Sequence, residues 1–441
     1  MHELYLQGLC KKLSPVLGKR AQFLWLSYAT AESYPAKMEA EALIQMMASK
    51  YLPQSLDNTS VLLNPPLVND STGDVFIGDV YFGKQKKQPL FLRRENFQKH
   101  IGIFAITGGG KSNLGYLILL GLVQVGVPFL VVDWKRSYRA LKHKIDSLKI
   151  YTIGRKSSSP LNWNPLRPPP GIHIRTWIAV VCEVLEKSHI SGQGVADIMI
   201  DVLDRCFDQR GFFEGTPEVY PNFHDARQMV DQMQLRGRKM LWQDSCSRIL
   251  RTFTYGPASG AFNSRHPVAL EEILEENAIL ELDQELPKPL RVFFSEIVLR
   301  WIHLYRLGQG ESVLKHVTFL EEVHNLFPRS QIEKQASNSL ESVFREIRSF
   351  GEGLVNITQH PSLLPVYILG NCNTQIYLGL QHEDDILTAK RALFLERGDE
   401  KYLDLLKVGE AIIKIKGRID PCLIKIPLVE VKHGSVRDGD L

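Results

Sequence analysis

Residues 105–112, AITGGGKS, constrain the fold of this chain more than any other segment. They follow the apolar run HIGIF and precede NLGYLILLGLVQVG, which predicts a buried strand, a glycine-rich turn and a helix in that order. The segment matches the phosphate-binding pattern G-x-x-x-x-G-K-[ST], except that Ala105 stands at the first glycine. A methyl group is the smallest possible departure from that glycine. The sequence therefore predicts a nucleotide site, and a plain turn closed by Lys-Ser is the alternative.

The chemistry of a triphosphate site explains these residue types. Glycines allow positive φ angles and let backbone N–H groups approach phosphate oxygens. Lys111 would contact the β and γ phosphates, the Ser112 hydroxyl would bind Mg²⁺, and the helix N-terminus would add its dipole. The predicted nucleotide-binding residues are Thr107, Gly108, Gly109, Gly110, Lys111, Ser112 and Asn113.

Two acidic residues follow another apolar run, in HVTFLEEVHNLFP. Hydrolysis at a phosphate loop needs a carboxylate near Mg²⁺ and a base that orients the attacking water, both at the end of a neighbouring strand. Glu321 is the predicted metal-site residue, although aspartate is more usual there, and Glu322 is the predicted catalytic base. A solvated acidic turn is the alternative.

Further apolar runs lack polar alternation, which is typical of strands buried on both faces of a parallel sheet. They are IGIFAI, PFLVVDW, KIYTIG, NAILELD, HVTFLEE, GLVNITQ, TQIYLGL and EAIIKIKG. A helix is expected from about Ser137, and a hairpin with KQKKQ at its tip is expected before residue 93. The predicted fold class is α/β with a mainly parallel sheet.

Breaks in these patterns divide the chain into five predicted parts. Proline and glycine mark some of the breaks, as in NPPLVNDSTGD and NPLRPPPG. The parts are a mostly helical region at 1–72, a first core part at 73–171, a helical insertion at 172–265, a second core part at 266–428 and a tail at 429–441.

Composition and charge narrow the class of protein. Of the 441 residues, 44% are hydrophobic and 23% are charged, as in ordinary globular proteins, and the net charge is only +4. Any affinity for nucleic acid must therefore come from a local basic patch. The six cysteines include no C-x-x-C pair and no nearby histidine at metal-ligand spacing. Because the sequence has neither a signal-peptide pattern nor a membrane-length apolar run, it predicts a cytoplasmic protein without a transmembrane segment.

Five segments, taken in order, resemble the HerA branch of the HerA/FtsK superfamily of ring ATPases. They are KHIGIFAITGGGKSN, FLVVDWKRSYRAL, FLEEVHNLFP, REIRSFGEGLVNITQHPSLLP and LKVGEAIIKIKGRIDPCLIKIP, within about residues 75–428. The resemblance implies a RecA-like P-loop NTPase core that binds ATP and Mg²⁺. It also implies a homo-oligomer, expected to be a hexamer, that moves double-stranded DNA.

The resemblance also implies roles for individual residues. Lys111 and Ser112 match the family's phosphate-loop lysine and Mg²⁺-binding hydroxyl. Glu321 matches the acidic metal position and Glu322 the catalytic glutamate. Gln359, in ITQHPS, matches the polar sensor at the end of the next strand. That sensor can bond the γ-phosphate or the attacking water.

Two arginines precede the predicted sensor strand. Arg348, in EIRSFG, matches the family's trans-acting arginine, with Arg345 as the substitute. The alternative is a pair of arginines on a solvated helix face. Asp133 matches the acid that ends the second strand, but Lys135 and Arg136 make this loop depart from the common D-x-x-G-E-Y wording.

Other features bear on partners. HerA proteins usually open with a small β-barrel that docks a nuclease, whereas about the first 55 residues here have helical periodicity. This start is a candidate docking element for a nuclease or another effector protein. The candidate DNA contacts are Arg236, Arg238, Lys239, Arg248 and Arg251, with ordinary helix-surface charge as the alternative, and Lys84, Lys86 and Lys87 are expected to form a solvated turn.

Three functions are compatible with these features. The leading hypothesis is an ATP-hydrolysing ring motor that translocates or unwinds double-stranded DNA. The second is a conjugation- or secretion-type ATPase. The third is a nucleotide-gated scaffold for a nuclease or an antiviral effector.

Overall fold

The computed structural model describes residues 2–52, 60–155, 159–217, 219–327, 339–432 and 434–441. Its helices are α1 (His2–Leu17), α2 (Lys19–Ala29), α3 (Tyr34–Tyr51), α4 (Arg94–Gln98), α5 (Lys111–Gln124), α6 (Ile174–His189), α7 (Gln193–Gln209), α8 (Phe223–Gln232), α9 (Arg238–Thr254), α10 (Pro257–Phe262), α11 (Leu270–Ile273), α12 (Lys288–Gln309), α13 (Ser339–Glu346), α14 (Val366–Asn371), α15 (Glu383–Leu393) and α16 (Tyr402–Leu405). Its strands are β1 (Val75–Phe82), β2 (Gln85–Leu92), β3 (Ile101–Phe104), β4 (Phe129–Asp133), β5 (Lys149–Ile153), β6 (Ala278–Leu282), β7 (Ser312–Glu321), β8 (Phe350–Thr358), β9 (Thr374–Tyr377), β10 (Glu410–Ile415) and β11 (Ile419–Lys425).

These strands form one sheet in the order β2-β1-β11-β10-β9-β3-β8-β7-β4-β6-β5. The strands from β9 to β5 in that order are parallel, whereas β10, β11, β1 and β2 pair antiparallel at one side. The predicted α/β class with a mainly parallel sheet is confirmed. Because parallel strands end at a common edge, the loops after β3, β8, β7 and β4 are neighbours.

Both faces of the central sheet are covered. Leu130 and Val132 of β4 belong to an apolar cluster that includes residues of α6 to α10 and α12. Phe129 and Val131 of the same strand belong to a second cluster, with residues of α5 and of the β1–β2 hairpin. This burial on both sides explains why the central strands show no polar alternation.

The N-terminal helices α1, α2 and α3 contact one another around a third apolar cluster. Its members include Leu6, Leu13, Ile44 and, from β1, Phe82. Residues 53–59 of the predicted helical region lie outside the described residues. No helix in the described part of the chain is long and apolar enough to cross a membrane.

None of the predicted boundaries between the five parts interrupts a helix or a strand. The helices α6 to α10 lie in the predicted insertion. Whether these parts behave as domains stays a prediction. Two local expectations were wrong. KQKKQ was expected at the tip of the hairpin, but all of it except Lys84 belongs to β2. The turn itself is formed by Gly83 and Lys84. The expected helix after Ser137 is a short 3-10 turn at Arg139–His143, since the chain must reach β5 within a few residues.

Candidate nucleotide site

The predicted phosphate loop lies between the end of β3 and the start of α5. Gly108 and Gly110 have φ angles of 78° and 102°, in the left-handed region that favours glycine. A Cβ atom on Gly109 would lie only 2.7 Å from the carbonyl oxygen of Leu378, so this position also requires glycine. The three glycines of the motif are therefore needed for backbone reasons.

Lys111 begins α5 and folds back over the loop. Its Nζ donates hydrogen bonds to the carbonyl oxygens of Ala105 at 2.6 Å and Ile106 at 2.9 Å. Burial, and after it the nearby ammonium of Lys135, lowers the pKa of Lys111 to about 8. A triphosphate at the loop would oppose both effects with its negative charge.

Glu322 lies just after β7 and has a φ of 48°, which is uncommon for a residue with a side chain and often marks a functional site. Its Oε1 accepts a hydrogen bond from Gln359 Nε2 at 2.9 Å and forms an ion pair with Lys135. Its Oε2 lies 3.4 Å from His324 Nδ1. Burial raises the pKa of Glu322, but Lys135 and Gln359 outweigh that effect, so the pKa lies below its ordinary value. Glu322 is therefore held as a carboxylate.

Gln359 connects this carboxylate to the phosphate loop. Its Nε2 donates to Glu322, and its Oε1 accepts a hydrogen bond from Thr107 Oγ1 at 2.8 Å. The three side chains lie at the ends of β3, β8 and β7, which are adjacent in the sheet. Gln359 therefore joins the phosphate loop to the predicted base through two hydrogen bonds.

Glu321 and Asp133 form a buried carboxyl pair at the ends of β7 and β4. Their residues are 7% and 0% exposed. Burial raises the pKa of Glu321 well above its ordinary value, and Asp133 raises it further. Burial also raises the pKa of Asp133, although hydrogen bonds from Glu321 and from the backbone N–H groups of Lys135 and Tyr138 oppose it. Burial therefore disfavours the charged form of both carboxyl groups.

This carboxyl pair and Ser112 have the chemistry that Mg²⁺ prefers. The Oε2 atom of Glu321 is buried and accepts no hydrogen bond from any residue in the described ranges. Carboxylate and hydroxyl oxygens are suitable ligands for this ion, which would neutralise phosphate charge when bound. Glu321 and Ser112 remain the predicted metal residues, and Asp133 lies in direct contact with Glu321.

Asn113 has other partners in the structure. Its Nδ2 donates to the carbonyl oxygen of Pro427 at 2.9 Å, and its Oδ1 accepts from the N–H of Val429 at 2.8 Å. The side chain therefore holds the segment after β11 against the start of α5. Its predicted contact with nucleotide stays a prediction.

The two candidate arginines lie elsewhere. Arg345 and Arg348 are exposed and precede β8, whereas Gln359 follows that strand. β8 contains nine residues, a length of about 30 Å. The arginines therefore lie at the opposite edge of the sheet from the phosphate loop of their own chain.

The basic residues proposed as DNA contacts are exposed on α9 and on the segment before it. Arg238 lies over the ring of Trp242 at 5.4 Å, and Arg251 over that of Tyr255 at 5.8 Å. The complete set is Arg236, Arg238, Lys239, Arg248 and Arg251. The lysines of the hairpin instead have local partners, such as Asp79 at 2.6 Å from Lys86.

Sequence reasoning missed Lys135 and His324 as neighbours of Glu322. The available signal was their position in loops that directly follow predicted buried strands. In the sequence, Lys135 differs from the residue that is common in the family motif. His324 is only a residue of HVTFLEEVHNLFP that follows the two glutamates closely.

The strand order and the loop between β3 and α5 define a P-loop NTPase core. The structure of VirB4 from Thermoanaerobacter pseudethanolicus shares this fold, with a TM-score of 0.65 and 15% identity, over 83% of this chain and 98% of that one. Residues 75–222 match the family model described as "Helicase HerA, central domain".

Two relatives carry the HerA name. This chain is 32% identical over 377 residues to "Probable DNA double-strand break repair helicase HerA" of Methanocaldococcus jannaschii, covering 76% of this chain and 73% of the relative. It is 23% identical over 381 residues to "DNA double-strand break repair helicase HerA" of Pyrococcus furiosus, covering 78% and 68%. The chain belongs to the HerA family, which confirms the resemblance. It spans 73% and 61% of the length of two further probable helicases of M. jannaschii.

Proposed function

We propose that the protein hydrolyses ATP in a homo-oligomeric ring, expected to be a hexamer, and uses the reaction to move double-stranded DNA. The observation that carries the proposal is the hydrogen-bonded series Thr107–Gln359–Glu322, which joins the phosphate loop to a carboxylate suited to act as a base. A solvated acidic turn has no need of such a connection.

The roles of the residues follow from their positions. Lys111 binds the β and γ phosphates, and Glu322 orients the attacking water and accepts its proton. Gln359 couples the state of the loop to Glu322 through its two hydrogen bonds. Arg348 of a neighbouring subunit would supply positive charge to the transition state.

The proposed DNA substrate is supported by the names of the two HerA relatives, one a "DNA double-strand break repair helicase" and the other a "Probable DNA double-strand break repair helicase". The exposed basic residues of α9 are the candidate contacts with the phosphate backbone. Contacts of this kind hold DNA without reading its sequence, as a translocase requires.

The first test measures phosphate release with and without linear duplex DNA. We expect DNA to stimulate hydrolysis, and Lys111→Ala to reduce the rate at least about 100-fold because the phosphates lose their main cation. Lys144→Gln, at an exposed lysine, is the matched control and should hydrolyse normally. Full hydrolysis by Lys111→Ala would refute the proposed site.

The DNA part of the proposal has its own outcome. Intact hydrolysis without any stimulation by DNA would reject the DNA motor and favour a secretion-type ATPase or a nucleotide-gated scaffold. Particle images recorded with an ATP analogue and duplex DNA provide the second measurement. A six-fold ring with DNA in its pore is the expected result.

A further inference from the structure

Lys135 brings a second ammonium group to the nucleotide site from β4, which is separated from the strand of the phosphate loop by β8 and β7. Its backbone N–H donates to Asp133 Oδ1 at 2.8 Å, and the next residue, Arg136, turns the chain with a φ of 58°. The base of the side chain is therefore held in place. Its Nζ forms an ion pair with Glu322 Oε1, and the side chain is 45% exposed. The ammonium can thus move without disturbing the core.

Lys135 and Lys111 converge on the same region. Lys111 reaches over the loop from α5, and Lys135 reaches Glu322 from the loop that follows β4. Their mutual repulsion contributes to the lowered pKa of Lys111, so the two ammonium groups interact. Two converging cations are a favourable environment for a polyanion such as the terminal phosphates of a nucleoside triphosphate.

The ion pair also occupies the predicted base. Glu322 Oε1 already accepts from Gln359, and Lys135 contacts the same oxygen. A carboxylate that orients an attacking water must have an oxygen available for that water. With Lys135 and Gln359 both on Oε1, this oxygen is less able to accept from water, and departure of Lys135 would make room for it.

We propose that Lys135 is a phosphate-binding residue that exchanges its ion pair with Glu322 for one with the γ-phosphate of ATP. The exchange rests on the proposed ATP site and involves no covalent change. It removes the cation from Glu322 Oε1, so that this oxygen can accept from water beside Gln359. Because ADP has no γ-phosphate, Lys135 stays on Glu322 when ADP is bound, and the residue distinguishes the two nucleotides.

The test compares Lys135→Met with Lys144→Met, an exposed lysine nine residues further along the chain. Affinities for ADP and for an ATP analogue with a non-hydrolysable β–γ bond are measured by calorimetry on the full chain. For Lys135→Met we expect about tenfold weaker analogue binding and an ADP affinity within about twofold of wild type. Lys144→Met should change neither affinity, and Lys135→Arg should retain most of the preference for the triphosphate.

A double substitution separates this role from simple charge neutralisation. Glu322→Gln removes the carboxylate that competes for Lys135, so it should tighten binding of the analogue. The same substitution in the Lys135→Met background should give no gain. Equal changes for ADP and the analogue in Lys135→Met, or a gain that persists in the double variant, would overturn the exchange. If wild-type protein neither binds nor hydrolyses ATP, the proposed function itself has failed.

Discussion

Ala105 replaces the first glycine of the phosphate-loop pattern, and its surroundings show why a methyl group is tolerated. The residue is fully buried at the end of β3, where its N–H donates to the carbonyl oxygen of Thr358 at 3.3 Å. Its backbone is outside the left-handed region that Gly108 and Gly110 occupy, so a Cβ atom causes no strain. What the loop uses at this position is the carbonyl oxygen, which accepts from Lys111.

Ala105→Gly should therefore change the rate of ATP hydrolysis less than about tenfold and lower the free energy of unfolding by about 1 kcal/mol, because a buried methyl is lost and the unfolded chain gains freedom. Phosphate release and urea unfolding measure the two effects. A rate change greater than tenfold would show that the methyl group shapes the loop.

At the scale of elements, the C-terminal segment is tied to the loops that follow β4 and β5. Asp438 accepts from Arg139 Nη1 at 2.7 Å and also contacts Arg155. Ser435 Oγ lies 3.0 Å from His143 Nε2. Arg139 in addition forms two hydrogen bonds of 2.6 Å with Glu281 of β6. The tail therefore stabilises the same connection that carries Lys135.

Asp438→Asn should test this tie through its pH dependence. Hydrogen bonding to Arg139 is the main cause that lowers the pKa of Asp438. The Asp438 carboxylate therefore adds to the free energy of unfolding above the ordinary aspartate pKa, and this contribution is lost as the pH falls through the lowered pKa. Since the group is partly exposed, we expect a loss of about 1 kcal/mol or less at pH 7. The loss should vanish well below about pH 4.

Urea unfolding of wild type and Asp438→Asn at several pH values provides that measurement. Asp420→Asn, at an exposed aspartate of β11, is the matched control and should show no such difference. A destabilisation by Asp438→Asn that is unchanged in acid would mean that the carboxylate charge is not what holds the tail.

The strands were predictable because a strand that is buried on both faces appears in the sequence as a continuous apolar run. The eight predicted strands correspond to β3 to β10, whereas β11 was not predicted as a strand, since Pro421 interrupts its pattern. The neighbourhood of Lys111, Glu322 and Gln359 was also predictable, because parallel strands end at one edge.

Pairings between distant side chains were not predictable. Arg139 and Asp438 are 299 residues apart in the chain, and periodicity carries no information about such a pair. The same holds for Glu352, which lies fully buried in β8 and accepts from His316 and Thr318 at 2.7 Å and from Arg306 at 3.1 Å. A charge in an apolar strand is acceptable only when the fold supplies its partners.

At the scale of the whole molecule, the candidate residues lie at two opposite edges of one sheet. Lys111, Glu322 and Gln359 follow the carboxyl ends of strands, whereas Arg348 precedes β8. Nine residues of extended chain separate the two edges along β8. An arginine so placed can reach a phosphate loop only if that loop belongs to another copy of the chain. In the proposed ring, repeated head-to-tail contacts would bring these two edges of neighbouring copies together.

Mixing of subunits tests this arrangement. Lys111→Ala removes the nucleotide-binding half of an interface and Arg348→Ala removes the arginine half, so each variant alone should be nearly inactive. The two variants are then mixed in equal amounts and reassembled. An Arg348→Ala subunit still has an intact phosphate loop, and a Lys111→Ala subunit still has its arginine. An interface is complete when the first supplies the loop and the second supplies the arginine. Random assembly makes about one quarter of interfaces complete, so phosphate release should recover up to about that fraction of the wild-type rate.

The choice between the two arginines follows from the same experiment. Arg345→Ala in place of Arg348→Ala should remain active alone, because Arg345 already has Glu346 as an ion-pair partner at 3.5 Å and lies further from the start of β8. If Arg345→Ala is the inactive variant and complements Lys111→Ala, the trans arginine is Arg345.

If neither mixture recovers activity although both variants still assemble, hydrolysis requires every subunit of the ring to be intact, or no arginine acts in trans. A titration of wild-type subunits with Lys111→Ala separates these two cases, since a ring that requires every subunit loses activity far faster than in proportion to the variant added.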